Sequence, residues 1–432
     1  MGVYTDVVGV GVESPLARRY RAVRGRTERL CAPLAVEDYV VTAMTDASPA
    51  KWHLAHTTWF FETFVLREGV EGYGVFDPAF AFLFNSYYVQ AGERHCRAQR
   101  GLVTRPTVAE VYAYRRFVDE AMLGMLARGV TEALAAVLEI GMQHEQQHQE
   151  LLVTDLKYLF DANPIKPAYD ERPLMGAVPV VESGDAGRAQ WIEIVPGVTE
   201  FGGDGGGFAY DNEGPRHPRY MANARVAAGV ITNAEYAEFV RDGGYQLTAL
   251  WLSAGWAIAQ ERGWACPLYW ERDEDTPLGW RGFTLAGMQA LRGEDPVCHV
   301  SYYEADAYAR WRSLRDVPGA RLPTEFEWEA VAPEPVDRGD VAFHGGAHGG
   351  RDVGGFYGAV WQWTMSPYVG YPGYRPCAGA LGEYNGKFMS DQWVLRGSSI
   401  ATPPGHTRRT YRNFFPADAR WQFSGIRLAV DV

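Results

Sequence analysis

No stretch of this 432-residue chain is apolar for long enough to cross a bilayer. Runs such as Ala133 to Leu138 fall far short of the ~20 residues a spanning helix needs. Basic residues are in the minority, 41 Lys and Arg against 53 Asp and Glu, for a formal charge of −12. Nucleic acid and anionic membranes both demand a basic face, so neither is an expected partner. Cysteine is sparse: five residues (31, 96, 266, 298 and 377) with no CxxC pair. Such a set excludes a disulfide framework and points to a reducing, cytoplasmic setting. The first residues have no basic segment before their apolar ones, so no signal peptide is expected, and Asp6 breaks the myristoylation pattern. No internal repeat is visible. With 47% apolar and 22% charged residues the composition is globular, and the length predicts about two or three domains.

Aromatics, by contrast, are plentiful: 14 Trp, 24 Tyr and 20 Phe, with the tryptophans concentrated toward the C-terminal half among many of the 48 glycines. Periodicity and caps predict four amphipathic helices in the N-terminal part, enough for a bundle. The first starts at Ser14–Pro15; the others run from Ser48 to Arg67, Thr107 to Arg128 and Thr131 to about Phe160. Between the second and third lies a long connection, about residues 69–106, whose aromatic content argues for order. The division expected is a bundle over 1–165, a Pro-rich linker over 166–190 and a second domain over 191–432. Helices are expected in that domain near Asn233–Arg241 and Tyr303–Arg312, with irregular β structure elsewhere. The GGDGGG run at 202–207 precedes no helix pattern and is not a dinucleotide fingerprint.

The most informative segment is GMQHEQQHQELL, 141–152. At about 100° per residue His144 and His148 share a helical face, and Gln147 borders it ~60° to the other side of His144. Two imidazoles on one face can converge on a divalent metal. Glu150 points away and reads as half of a structural ion pair. A second pair, His53 and His56 in KWHLAHTTWFFE, either of which can face the bundle interior, makes a metal site the leading reading. Imidazoles suit Zn, Cu, Fe and Ni alike. HEQQH also matches HExxH, which in a zinc hydrolase would make Glu145 the general base. The extended metzincin pattern is absent, and few acidic residues are placed to be a third ligand.

WHLAHTTWFFE, NSYYVQAGERHCR and HEQQHQE, followed by HVSYYEADAYARW, RLPTEFEWEAV, VWQWT, WVLRGSS and FSGIRLAV in that order, resemble the ergothioneine-biosynthesis sulfoxide synthases over nearly the whole chain. The resemblance implies an α+β protein: an N-terminal DinB-like four-helix bundle and a C-type-lectin-like domain of the formylglycine-generating-enzyme type. It also implies a non-haem Fe(II) cofactor held by His56, His144 and His148, with O₂ as co-substrate and His53 a structural neighbour. The implied reaction joins a thiol to C2 of the imidazole of hercynine (Nα-trimethylhistidine) as a sulfoxide, with small molecules as the partners. A homo-oligomer is compatible with it.

Within that resemblance Tyr87 and Tyr88 are the candidate catalytic phenols, able to supply a proton or hydrogen atom to reduced oxygen. Adjacent residues of an extended segment would point oppositely, which would leave one of the pair at the site. Tyr384, near the place of a tyrosine used by the γ-glutamylcysteine branch, is read as structural. Arg94, Arg97 and Arg100 offer guanidiniums for a substrate carboxylate, Arg97 first. Gln147 and Asn413 are expected to hydrogen-bond hercynine, and Trp52 and Phe414 to face its quaternary ammonium. Phe415 stands where an acidic residue would meet a γ-glutamyl amino group, which favours free cysteine. The remaining alternatives are γ-glutamylcysteine as donor, an ovothiol-type synthase acting on histidine, and the HExxH hydrolase. AVWQW departs from the related NVWEW and puts a calcium site in doubt; no cysteine follows Cys377, so formylglycine-generating activity is not expected.

Overall fold

The computed structural model describes residues 13–170, 190–336, 355–376, 378 and 380–432. Positions 171–189 of the expected linker, and Cys377, lie outside them. The other four cysteines are free thiols.

In the N-terminal half four long helices pack together. Helix α1 (Pro15–Cys31) starts on Ser14, whose hydroxyl accepts the Ala17 N–H. Every residue of α2 (Ala50–Phe61) is buried, so it is the central rod of the bundle and has no solvent face to make it amphipathic. Its expected course to Arg67 is interrupted by a π-helical turn at Glu62–Leu66. Helix α3 (Val108–Arg128) opens with a capping box: Thr107 accepts the Glu110 N–H and Glu110 accepts the Thr107 N–H. Helix α4 (Glu132–Ala162) is 31 residues long and is capped by Thr131.

Gly141 sets how closely α4 can cross α2. A Cβ there would lie 2.6 Å from the Phe61 ring and 2.9 Å from that of Phe60, so a side chain would push the two helices apart. This contact falls one turn before His144. The long connection is ordered, as its aromatic content predicts. After a one-turn helix at Phe80–Phe84, Asn85 closes a turn by accepting the Tyr88 N–H and donating to the Tyr88 and Gly92 carbonyls. This Asx-type turn, not an extended strand, carries the two tyrosines.

The C-terminal half is built on two small sheets. One has the order β1 (Trp191–Ile194), β4 (Ala224–Ala227), β13 (Ala429–Asp431), β8 (Ala320–Arg321), all antiparallel. The other has β11 (Asn413–Pro416), β10 (Gln392–Gly397), β9 (Trp361–Pro367) and β12 (Ser424–Gly425), the last pair parallel. Two hairpin units, β2 (Gly197–Phe201) with β3 (His217–Met221), and β5 (Trp270–Arg272) with β6 (Trp280–Thr284) and β7 (Gly287–Ala290), lie outside them.

Helices α5 (Asn233–Arg241) and α7 (Tyr302–Arg315) fall where expected, but two more interrupt what was read as irregular β structure. Helix α8 (Glu325–Val331) has a capping box, Thr324 with Glu327, that TEFE spells out in the sequence. Helix α6 (Ser253–Glu261) has no side-chain cap and therefore no such signal. At AVWQW the buried Gln362 accepts from Trp328 and Arg427 and donates to the Phe356 and Val360 carbonyls. A guanidinium and an amide thus occupy the position where a calcium ligand was in doubt.

One helix joins the halves. Along α4, Gln143 accepts from His406, Gln146 donates to the Pro404 carbonyl, and Gln147 donates to Tyr411. One turn on, Glu150 accepts from Trp361 Nε1, Ser399 and Thr402, and Lys157 meets His299. Glu150 is thus bonded by an indole and two hydroxyls of the second domain, not by the cation of the expected ion pair. Burial raises its carboxyl and those three donors oppose the shift. The polar run HEQQHQE is buried almost throughout because each of its faces has its own partner.

Candidate metal centre

His56 from α2 and His144 and His148 from α4 bring one ligand nitrogen each to within 4.8 Å of one another. His56 Nε2 and His144 Nε2 are 3.2 Å apart. An ion bonded to both at ~2.1 Å would subtend about 100° between them, an ordinary angle for shared coordination. The other ring nitrogens settle which atoms are free. His56 Nδ1 lies 2.6 Å from the Phe84 carbonyl, so that nitrogen carries the proton and Nε2 carries the lone pair. His148 Nδ1 is 2.9 Å from His53 Nδ1, and His53 Nε2 is 3.0 Å from Asp155. A proton on His148 Nδ1 donated to His53, and one on His53 Nε2 donated to Asp155, leaves His148 Nε2 open as the third ligand. His53 is thus the support of His148.

The three candidate rings are deeply buried, His56 and His144 at 0% exposure and His148 at 9%. Burial, joined by mutual repulsion, holds His56 and His148 well below 6.5, and burial takes His144 down to about 3. All three are therefore neutral imidazoles with lone pairs to give at neutral pH. Donor type, convergence and protonation state fit a divalent transition metal with positions to spare.

Around this cluster the structure gathers some of the expected residues and not others. Gln147 donates to Tyr411 Oη at 2.5 Å and accepts the Tyr384 hydroxyl. The Tyr384 ring stands 5.6 Å from His144, so the tyrosine read as structural lines the centre instead. No spacing ties residue 384 to 144; the fold of the second domain brings them together. Tyr210 stacks on Tyr384 and completes that wall.

Tyr87 and Tyr88 do not point apart. The Asn85 turn stacks their rings at 4.6 Å, and the Tyr88 ring lies 6.5 Å from His144. The Tyr88 hydroxyl is buried without a hydrogen-bond partner of good geometry. Burial, then the Tyr87 phenol, raise it far above the usual tyrosine value. Burial likewise raises Tyr87 and Tyr384.

Trp52 stacks on His56 at 4.4 Å, with the Arg100 guanidinium 3.5 Å over the indole. Those neighbours cover both ring faces, so Trp52 braces His56 and has no face for a quaternary ammonium. Arg94 and Arg97 are exposed and donate to the Ser86 and Asp46 carbonyls. Arg100 is the buried member of the three. Phe414 stacks on Tyr368 and borders Phe388, which in turn edges onto Tyr87. Strand alternation turns Asn413 and Phe415 to the other side of β11. There Asn413 Oδ1 accepts the Phe414 N–H and Phe415 meets Trp421.

Glu145 overturns the hydrolase reading of HEQQH. It is fully buried on the α1 side of the helix, where it accepts from Arg24 (2.9 Å), Arg115 (2.7 Å) and Thr27 (2.6 Å). A base so engaged has no water to activate. Burial by itself would raise this carboxyl; Arg115 and Arg24 overcome that and hold it down at about 2, against 4.5 in the unfolded chain. The resulting stabilisation is complete above pH ~4.5 and is lost as the pH falls toward 2, with a ceiling of about 3 kcal/mol. Glu145→Gln is accordingly expected to lower the unfolding free energy by about 3 kcal/mol at neutral pH, a deficit that shrinks as the pH falls through that window. Denaturant titrations over a pH series measure it, and metal affinity within about threefold of wild type excludes a role at the ion.

Comparison with known proteins places this geometry in a family. Residues 19–152 match the DinB superfamily and residues 181–343 the sulfatase-modifying factor enzyme 1-like domain. The hercynine oxygenase of Mycolicibacterium thermoresistibile is 31% identical over 461 residues, spanning 98% of this chain and 96% of that protein. This chain belongs to the hercynine oxygenase family. The Mycolicibacterium smegmatis hercynine oxygenase is 32% identical over 421 residues, 89% of this chain and 91% of its own. The ergothioneine biosynthesis protein 1 of Schizosaccharomyces pombe is 25% identical over 51% of this chain and 27% of its own length. As a hercynine oxygenase family member the chain is an enzyme of the oxygenase class, and its α+β architecture is the DinB-like helical region followed by the C-type-lectin-like domain. Among the described residues no helix is long and apolar enough to cross a membrane.

Proposed function

We propose that this enzyme is an Fe(II)- and O₂-dependent sulfoxide synthase that joins cysteine to hercynine. One C–S bond forms at C2 of the imidazole, one atom of O₂ ends on sulfur and the other leaves as water with the thiol and C2 hydrogens. The observation that carries the reading is the set of three neutral imidazoles, from two helices, converging at a seam roofed by the second domain. Bound there, iron would supply the redox chemistry that activates O₂ and the thiol.

The chain's own residues supply the rest. We assign metal binding to the unit over 1–165 and the roof to that over 191–432, with 166–190 linking them. Gln147, between Tyr411 and Tyr384, presents an amide that can turn to the hercynine imidazole. Tyr87 and Tyr88 hold protons on phenols that burial keeps neutral. Arg94 and Arg97, paired with carbonyls and no acid, are free to exchange those acceptors for a substrate carboxylate. Phe414 offers an aromatic face to the trimethylammonium. Phe415 faces Trp421 on the other side of β11, so the reading of cysteine as donor rests on the sequence resemblance.

The test is anaerobic reconstitution with Fe(II), then O₂ with each pairing of hercynine or histidine with cysteine or γ-glutamylcysteine, and mass spectrometry of the products. The expected result is the cysteine–hercynine sulfoxide, with O₂ uptake only when both substrates are present. Turnover with Zn²⁺ alone overturns the iron chemistry. Preference for histidine or for γ-glutamylcysteine reassigns the acceptor or the donor.

A further inference from the structure

Arg100 is a buried cation without a bonded counter-charge, set two ring-heights behind a ligand. Its side chain is about 5% exposed, its guanidinium lies 3.5 Å over Trp52, and Trp52 lies 4.4 Å from His56 at an interplanar angle of 15°. Its hydrogen bonds go to hydroxyls, Ser48 Oγ at 2.9 Å and Ser86 Oγ at 3.0 Å, and its Nε has no partner. Asp155 is the acid that acts on it through space, but that carboxylate is already bonded to His53 and to the Ser48 N–H. Burial, then Arg97, bring its pKa down to about 9, still high enough to keep it charged at neutral pH. Through the stacked Trp52 the guanidinium lies within two ring spacings of His56, close enough for a buried charge to act on the centre with little screening. A positive field there repels a metal ion in proportion to the ion's charge.

We propose that Arg100 is a positioning residue of an electrostatic kind, which weakens the three-histidine site for cations and disfavours a trivalent ion more than a divalent one. The effect would keep iron in the reduced form that reacts with O₂. The inference rests on the three histidines being the ligands.

It is tested by titrating apo wild-type, Arg100→Gln and Arg100→Lys proteins with Zn²⁺ and, without oxygen, with Fe²⁺, and by measuring the Fe(III)/Fe(II) midpoint potential of each. Losing the charge is expected to tighten divalent binding on the order of tenfold and to raise the ratio of Fe(III) to Fe(II) affinity by about threefold. The lysine variant keeps the charge and should stay within about twofold of wild type. A residue that merely props Trp52 predicts the reverse, weaker binding in the glutamine variant. Weaker or unchanged binding there overturns the proposal while leaving the metal centre in place. A wild-type protein that binds neither ion overturns the metal centre itself. Replacing a buried, unpaired cation is often neutral or stabilising, and Arg100→Met serves in place of the glutamine variant if that fails to fold.

Discussion

His144→Ala is expected to abolish O₂ uptake and to weaken metal binding by at least a hundredfold. Binding free energies of ~10–16 kcal/mol for four-ligand zinc sites put each ligand at about 2.5–4 kcal/mol, or roughly two to three decades of affinity. Among the described residues three protein ligands come together, and the lost one comes from the middle of α4. The neighbours make the comparison sharp. His53 supports His148 and is itself held by Asp155, and such outer partners typically account for 10–100-fold in affinity. His53→Ala should therefore bind metal measurably but less tightly than wild type. Isothermal titration with Zn²⁺ and anaerobic Fe²⁺ titration rank the variants. If His53→Ala were the more damaging of the two, the ligand assignment would have to be exchanged.

That ranking also shows how much of the centre was legible before the fold was known. His144 and His148 could be paired from helical spacing alone, because both lie on one helix. Choosing His56 over His53 could not be done from spacing. It depends on the Phe84 carbonyl taking His56 Nδ1 and on Asp155 lying across from His53, both remote in sequence. The orientation of the two tyrosines escapes the sequence for a local reason. NSYY reads as extended, whereas Asn85 bonds its own backbone three residues on and turns both rings the same way. Tyr384 was illegible because its approach to His144 is made by the seam between the domains. Glu145 and Glu150 show the converse. A polar helix face normally signals solvent, yet here one carboxylate is claimed by two arginines of the bundle and the other by an indole and two hydroxyls of the roof.

Tyr88→Phe is expected to separate stability from catalysis in opposite directions. The ring packs against Trp59, Phe60 and Phe64, contacts that phenylalanine keeps. The hydroxyl, buried at 0% exposure, has no hydrogen bond of good geometry, its polar neighbour being the Tyr87 phenol. An unsatisfied buried hydroxyl costs about 1 kcal/mol or more, so its removal should raise the unfolding free energy by roughly that amount. Metal affinity should stay within about twofold, since no ligand bonds to this oxygen. Sulfoxide formation should nevertheless fall by about a hundredfold, the usual lower range for removing a positioned proton donor. Tyr384→Phe gives the contrast. Its hydroxyl donates to Gln147, so the same deletion should leave the protein no more stable than wild type, by the loss of a satisfied hydrogen bond. Denaturation midpoints, Zn²⁺ titrations and product formation measured on both variants tell the roles apart. If Tyr88→Phe is more stable and keeps full activity, its hydroxyl is an unused polar atom and the proton must come from Tyr87 or Tyr384. If it is more stable and inactive, the orphaned hydroxyl is retained for the reaction at the expense of the fold, which is the pattern expected of a group whose partner arrives only with the substrates.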